Sequence, residues 1–122
     1  MHELGIITGV LDSAKTAAQD AGAERLLKVT LSVGEMTEAI EDALQFAFEA
    51  LCEEDPFLQG AVLEVRMVPP KSECLECGEV FVHDRVHRLC PKCDSFATNL
   101  IEGRELQIDS IEVDIPDEDT SE

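Results

Sequence analysis

The residues of this chain whose types and spacing could do chemistry are cysteines first. Cys74-Leu75-Glu76-Cys77 and Cys90-Pro91-Lys92-Cys93 form two C-x-x-C pairs separated by twelve residues. In a reducing setting such pairs supply four thiolates, and two tight knuckles can close them into a tetrahedron around Zn(II). Four thiolates saturate the ion and leave no position for water or substrate, so the expected role is structural, not catalytic. Gly78 follows the first knuckle, where a left-handed backbone is often wanted; Asp94 follows the second and tolerates that conformation less well. Few apolar residues surround the pairs: Val80, Phe81, Val82, Val86, Leu89 and Phe96. The metal must then supply much of the local folding free energy, on the order of 10 kcal/mol for structural zinc peptides.

The second grouping is the N-terminus. With three histidines in the chain, one stands at position 2. Met1 and His2 place an α-amine, a backbone amide and an imidazole in one chelating array. Loss of the amide proton would create fused chelate rings of the tetragonal or square-planar kind that Ni(II) and Cu(II) prefer and Zn(II) does not. The alternative is an incidental histidine at a frayed end. His83 and His87 lie between the knuckles and are either spare metal ligands or exposed polar residues of a hairpin. The remaining cysteine, Cys52, reads as a small buried hydrophobe.

Positioning these groups falls to a short list of elements. Leu4, Ile7, Leu11, Ala14, Ala18 and Ala21 recur at helical spacing and predict a helix over residues 3–21, stopped by Gly22. From Leu26 to Val33 the period becomes two, with Leu27, Val29, Leu31 and Val33 inward and Lys28, Thr30 and Ser32 outward. Thr37 is the expected N-cap of a second helix that buries Ile40, Leu44, Ala47, Phe48 and Leu51, with Glu38, Glu41 and Asp42 at its positive end. Residues 61–68 predict a strand ended by Pro69-Pro70. Residues 105–115 predict another, in which Leu106 and Ile108 are out of phase with Ile111, Val113 and Ile115. A β-bulge near Asp109-Ser110 would reconcile them; a strand apolar on both faces is the alternative. The expected class is α+β: a two-layer domain of two helices on a three-stranded mixed sheet, with an inserted zinc-ribbon-like domain. Its boundaries are expected at residues 1–70 and 100–116 for the discontinuous α/β domain and 71–99 for the zinc domain. Residues 117–122 form an acidic tail expected to be disordered.

Composition narrows the functional classes. Nine Lys and Arg against 27 Asp and Glu leave a formal net charge of −18, which repels a phosphate backbone over most of the surface. A zinc-ribbon interaction or nucleic-acid-binding module is the competing reading, but it needs a local basic face, and residues 71–99 hold four cations against five anions. The excess acidity lies elsewhere, with seven acidic and no basic residues over 36–55. No apolar run approaches the ~18 residues that membrane insertion requires. The start of the chain lacks a secretory signal, so a cytoplasmic location is expected. No nucleophile and base pair, phosphate loop or open metal site points to an enzyme.

Met1-His2-Glu3, Val33-Gly34-Glu35-Met36, the run Ala43-Leu44-Gln45-Phe46-Ala47-Phe48-Glu49, the two C-x-x-C pairs, and Gly103-Arg104-Glu105-Leu106 leading to Ser110-Ile111-Glu112-Val113 occur in that order. Together they resemble the HypA/HybF family, over nearly the whole chain. The resemblance implies a nickel metallochaperone for maturation of [NiFe]-hydrogenase. It implies Ni(II) as transferred cargo on Met1 and His2 with Glu3 as neighbour, and structural Zn(II) on Cys74, Cys77, Cys90 and Cys93. The implied partners are a HypB-type GTPase, the precursor of the hydrogenase large subunit and, for some members, urease maturation proteins. The chain departs from the family pattern at Asp94, where Gly is usual, in lacking a proline before Glu41, and in its acidic tail.

Overall fold

The computed structural model of the chain describes residues 2–116, and of His2 the backbone only. Met1 and the tail at 117–122 lie outside the described residues. The elements run α1 (His2–Asp20), β1 (Arg25–Gly34), a 3-10 turn (Glu35–Thr37), α2 (Glu41–Glu53), β2 (Val62–Val68), β3 (Lys71–Cys74), β4 (Val80–Val82), β5 (Thr98–Glu102) and β6 (Leu106–Asp114). One three-stranded sheet has the order β2-β1-β6 and a second the order β4-β3-β5. With two helices and a mixed first sheet, this is the expected α+β class.

The described residues fall into two compact units, residues 2–31, 40–65 and 108–116 in the first and 32–39 and 66–107 in the second. The second takes in more of the chain than residues 71–99.

In the first unit α1 packs on α2. The apolar stripe of α1 buries Ile7, Val10, Leu11, Ala14 and Ala18, and that of α2 buries Leu44, Ala47, Phe48 and Cys52. Leu26, Val29 and Leu31 of β1, with Leu58 and with Leu63 of β2, complete this core. Leu4 and Ala21, expected on the buried stripe of α1, are exposed, because they sit at the two helix ends beyond the packed turns. Ala21 N–H still bonds back to Ala17 O, and the chain then leaves the helix through Gly22.

Two expectations for β1 need correction. Leu26, not Leu27, is the buried leucine at its start: the Leu26 N–H donates to Phe57 O at 3.0 Å, and Leu27 is turned outward. Ser32 is buried, not solvent-facing, and its hydroxyl meets the Arg66 guanidinium. The end of β1 is thus covered on both faces, from Leu31 to Gly34.

Thr37 does not cap α2. Its hydroxyl donates to Gly34 O (2.7 Å) and accepts the Ala39 N–H (3.2 Å), closing the 3-10 turn, after which Glu38 takes a left-handed conformation at φ 66°. The helix begins later, with Ile40 as its N-cap, and Ile40 is exposed instead of buried. A cap residue with no polar side chain leaves its own N–H to be satisfied from elsewhere. Here the Glu3 carboxylate accepts it at 3.1 Å, tying the first turn of α1 to the start of α2.

Along β6 the half-buried residues are Ile108, Ile111 and Val113, so the inward phase changes between Ile108 and Ile111. Leu106 and Ile115 are exposed and do not join that set.

In the second unit β3 is central and antiparallel to both neighbours, with a register shift against β5 between Lys71 and Ser72. The Val33-Gly34-Glu35-Met36 and Gly103-Arg104-Glu105-Leu106 motifs meet here. Gly34 N–H donates to Glu105 O at 2.7 Å and Met36 N–H to Gly103 O at 2.8 Å. A Cβ on Gly34 would lie 2.0 Å from Gly103 O, and one on Gly103 would lie 2.8 Å from Pro70 Cα. Neither backbone can be approached this closely past a side chain.

Candidate metal centre

The second unit buries almost no hydrocarbon around its ligands. Its cluster comprises Cys74, Phe81 and Cys90, two of the three being thiols. Cys74 ends β3, and the chain turns at once: the N–H groups of Glu76 and Cys77 both point at Cys74 Sγ (3.4 Å each), and Gly78 N–H closes the turn on Cys74 O at 3.0 Å. The second knuckle repeats the arrangement, with Lys92 N–H on Cys90 Sγ (3.4 Å) and Asp94 N–H on Cys90 O (2.8 Å). Gly78 sits at φ 80° and Asp94 at φ 62°, so both knuckles take the left-handed residue expected of them.

The two turns bring the four sulfurs within 4.8 Å of one another, with Cys74 to Cys93 at 3.5 Å and Cys77 to Cys90 at 3.6 Å. In a tetrahedral centre with metal–sulfur bonds of about 2.3 Å, neighbouring sulfurs stand about 3.8 Å apart. All four cysteines are free of disulfides. The donor set therefore fits a metal-binding site built from four thiolates. The thiols show why a cation belongs there. The N–H groups of Cys77 and Glu76 lower the Cys74 thiol to about 7 in spite of its burial. Cys93 receives the Ser95 N–H, which favours its thiolate, yet the neighbouring Cys74 thiol and burial push it up to about 12. One sulfur is poised to ionise and its neighbours resist following it; a divalent ion between them removes that conflict.

Neither intervening histidine joins the cluster. His83 uses Nδ1 on Asp84 O (2.6 Å) and Nε2 on the Ser72 hydroxyl (2.7 Å). His87 binds the Asp84 carboxylate, which that ring and the N–H groups of His87 and Val86 hold well below the usual carboxylate range. His83 thus ties the end of β4 to Ser72 of β3, while His87 stays within its own exposed turn. Cys52 is buried on α2, and desolvation pushes its thiol up to about 11, in keeping with a core role.

Of the expected nickel ligands, Met1 and the His2 side chain lie outside the described residues, while the His2 backbone opens α1. Glu3 is half-buried and accepts the Ile40 N–H. That tie between α1 and α2 escaped the sequence reading, since a glutamate at a helix start is equally well explained by the macrodipole.

A family model described as "Hydrogenase/urease nickel incorporation, metallochaperone, hypA" matches residues 1–113. The chain belongs to the HypA family. A HypA hydrogenase maturation factor of Geobacter metallireducens is 35% identical over 114 residues, covering 93% of this chain and all of that one. The HypA of Methanococcus maripaludis is 36% identical over 127 residues, covering 98% of this chain and all of its own. In fold, the solution structure of the Ni metallochaperone HypA from Helicobacter pylori superposes with a TM-score of 0.66 at 23% identity, covering 93% of this chain and 98% of that one. A second HypA solution structure gives 0.68 at 24% identity. No helix among the described residues is long and apolar enough to cross a membrane.

Proposed function

We propose that this HypA-family chain is a non-enzymatic nickel carrier of the cytoplasm. It takes Ni(II) at its N-terminus through the Met1 amine and the His2 amide and imidazole, with Glu3 alongside, and passes it on during [NiFe]-hydrogenase maturation. The observation that carries the reading is the family match, which runs from residue 1 into the last strand. The start of α1 supports it physically. His2 is the first residue of the helix, so its N–H is one of the four that have no carbonyl partner within a helix, and giving up that proton breaks no helical bond. The positive end of the macrodipole also favours the anionic amide that Ni(II) coordination requires.

Release needs no dedicated catalytic group. Reprotonation of amine, amide or imidazole removes a ligand, and an acceptor offering thiolates then captures the ion. The proposed partners are a HypB-type GTPase as donor and the hydrogenase large-subunit precursor as acceptor, with urease maturation proteins as further partners in some members of the family. The four-cysteine site is read as the seat of structural Zn(II), which when bound neutralises the four thiolates and holds the two knuckles together. The corresponding functional division is a nickel-binding portion at 1–70 and 100–116 and a zinc-binding portion at 71–99.

The deciding experiment titrates Ni(II) into protein with its native N-terminus, beside His2→Ala and a version extended by one residue. The native chain is expected to bind one equivalent with the visible band of a square-planar site. Both altered chains are expected to lose it while keeping their zinc. Equal binding by all three would overturn the terminal site.

A further inference from the structure

Nine cations serve a chain with 27 acidic residues, so a cation without a carboxylate calls for explanation. Lys15 pairs with Asp55, Lys28 with Glu64 and Arg85 with Glu38. Arg104, like Lys71 and Lys92, makes no ion pair or side-chain hydrogen bond among the described residues; Arg25 has only the Gln59 carbonyl and the Arg88 guanidinium only the Arg85 carbonyl, at 2.8 Å from Nε, and of these five Arg88 and Arg104 alone share a cavity. Both wall one cavity of about 250 Å³ in the second unit, together with Ser72, His83, Thr98 and Asn99. None of its lining residues is acidic.

The wall is set before any ligand arrives. Ser72 and Thr98 lie on the paired strands β3 and β5, and Ser72 is 2% exposed. With Nδ1–H of His83 donated to Asp84 O, its Nε2 accepts the Ser72 hydroxyl. Arg104 follows Gly103, whose carbonyl is held by the Met36 N–H at 2.8 Å. Two guanidinium groups with a hydroxyl and an amide beside them supply the donors that a carboxylate accepts, and a guanidinium can meet a carboxylate through two parallel N–H bonds. The cavity exceeds the size of one inorganic oxyanion, and Met36 and Leu100 add apolar wall that only an organic anion can cover.

We propose that the cavity between Arg88 and Arg104 is a binding site for an organic carboxylate, either a free small dicarboxylate or the acidic side chains of a docking protein segment. The test follows amide and arginine side-chain NMR signals of the full metal-loaded chain at about 0.15 M salt, where long-range attraction is screened. The probes are glutarate, an acetylated triglutamate amide and inorganic phosphate. Glutarate is expected to shift the signals of Thr98, Asn99, Leu100 and Arg104 saturably by about 10 mM, a concentration that reads millimolar affinity. Arg88→Gln and Arg104→Gln are each expected to weaken it at least tenfold with metal content unchanged, while Lys92→Gln leaves it intact. Tighter binding of the triglutamate assigns the site to a protein segment; equal or tighter binding of glutarate assigns it to a free dicarboxylate. Absence of saturation, indifference to both arginine variants, or phosphate binding as tightly as glutarate would overturn the proposal.

Discussion

The two units of this chain reach order by different routes. The first has a hydrocarbon interior from two helices and two strands, with Phe48, Ile7, Leu26, Leu31 and Leu44 all fully buried. The second has a three-stranded sheet whose strands are three to five residues long, over a cluster of one phenylalanine and two cysteines. At about 25 cal/mol per Å² of apolar surface, one unit can be held by burial, whereas the other must be held by bonds to a metal. Two of the three side chains that fill its centre are also its ligands, so folding and metal loading are coupled there, whereas the interior of the first unit holds no metal-ligand cluster among the described residues.

Removing the metal should expose that contrast most strongly. Chelation, or Cys90→Ser, is expected to abolish the amide dispersion of residues 71–102 while the helical signal of α1 and α2 persists. The affected free energy is on the order of 10 kcal/mol, as for structural zinc in small domains. Loss of both units together would show that they do not fold separately. Acid should separate them in the same order, because protons compete directly with metal for thiolates. In the first unit, Asp55 is held below its ordinary value by the hydrogen bond from Lys15 and by the Phe57 N–H. A depressed carboxylate contributes stability above its unfolded value, near ~3.9, and that stability is lost as pH falls below it. An acid titration read by metal release and by helical circular dichroism should therefore show metal leaving at the higher pH.

The converse perturbation is Phe48→Ala. Truncating a fully buried phenylalanine is expected to cost the first unit about 3–5 kcal/mol in denaturant unfolding. Metal affinity of the second unit should be unchanged. Thiol labelling gives a further contrast: with metal bound all five cysteines should resist alkylation, and after chelation the four ligands should react quickly. Cys52, buried and pushed up to about 11, should still lag.

What could be seen in the sequence follows the same division. Long amphipathic segments announce themselves, so α1, α2 and the middle of β1 sit where their periodicity put them. The four ligands were legible from spacing alone. The second sheet was not. Val80–Val82 is too short to show a period, and its pairing with residues 71–73 depends on a partner strand that lies across the whole first knuckle. Thr37 misled for a different reason: a threonine whose hydroxyl bonds within a 3-10 turn has the same sequence signature as one that caps a helix, and the Ile40 N–H at the true start of α2 finds its partner in the distant Glu3 carboxylate. The meeting of Gly34 with Gly103 was present as two motifs without a cause; the cause is a close passage of two backbones.

The smallest effect distinguishes the two knuckles inside the second unit. They share the N–H bond to the leading sulfur and the bond that closes the turn, yet one places Gly78 at φ 80° and the other Asp94 at φ 62°. Glycine enters that region without the clash that a Cβ brings, whereas aspartate meets a steric cost there that its short polar side chain offsets only in part. Asp94→Gly also loosens the unfolded chain, and that entropy opposes the relief of strain. The net expectation is a gain of about 0.5 kcal/mol, read as slower metal loss to a competing chelator. Gly78→Ala, which puts a Cβ into the same conformation with no polar compensation, should cost about 1 kcal/mol and speed that loss. If both substitutions left the exchange rate unchanged, the metal bonds alone would set the knuckle conformation, and backbone preference would have no share in it.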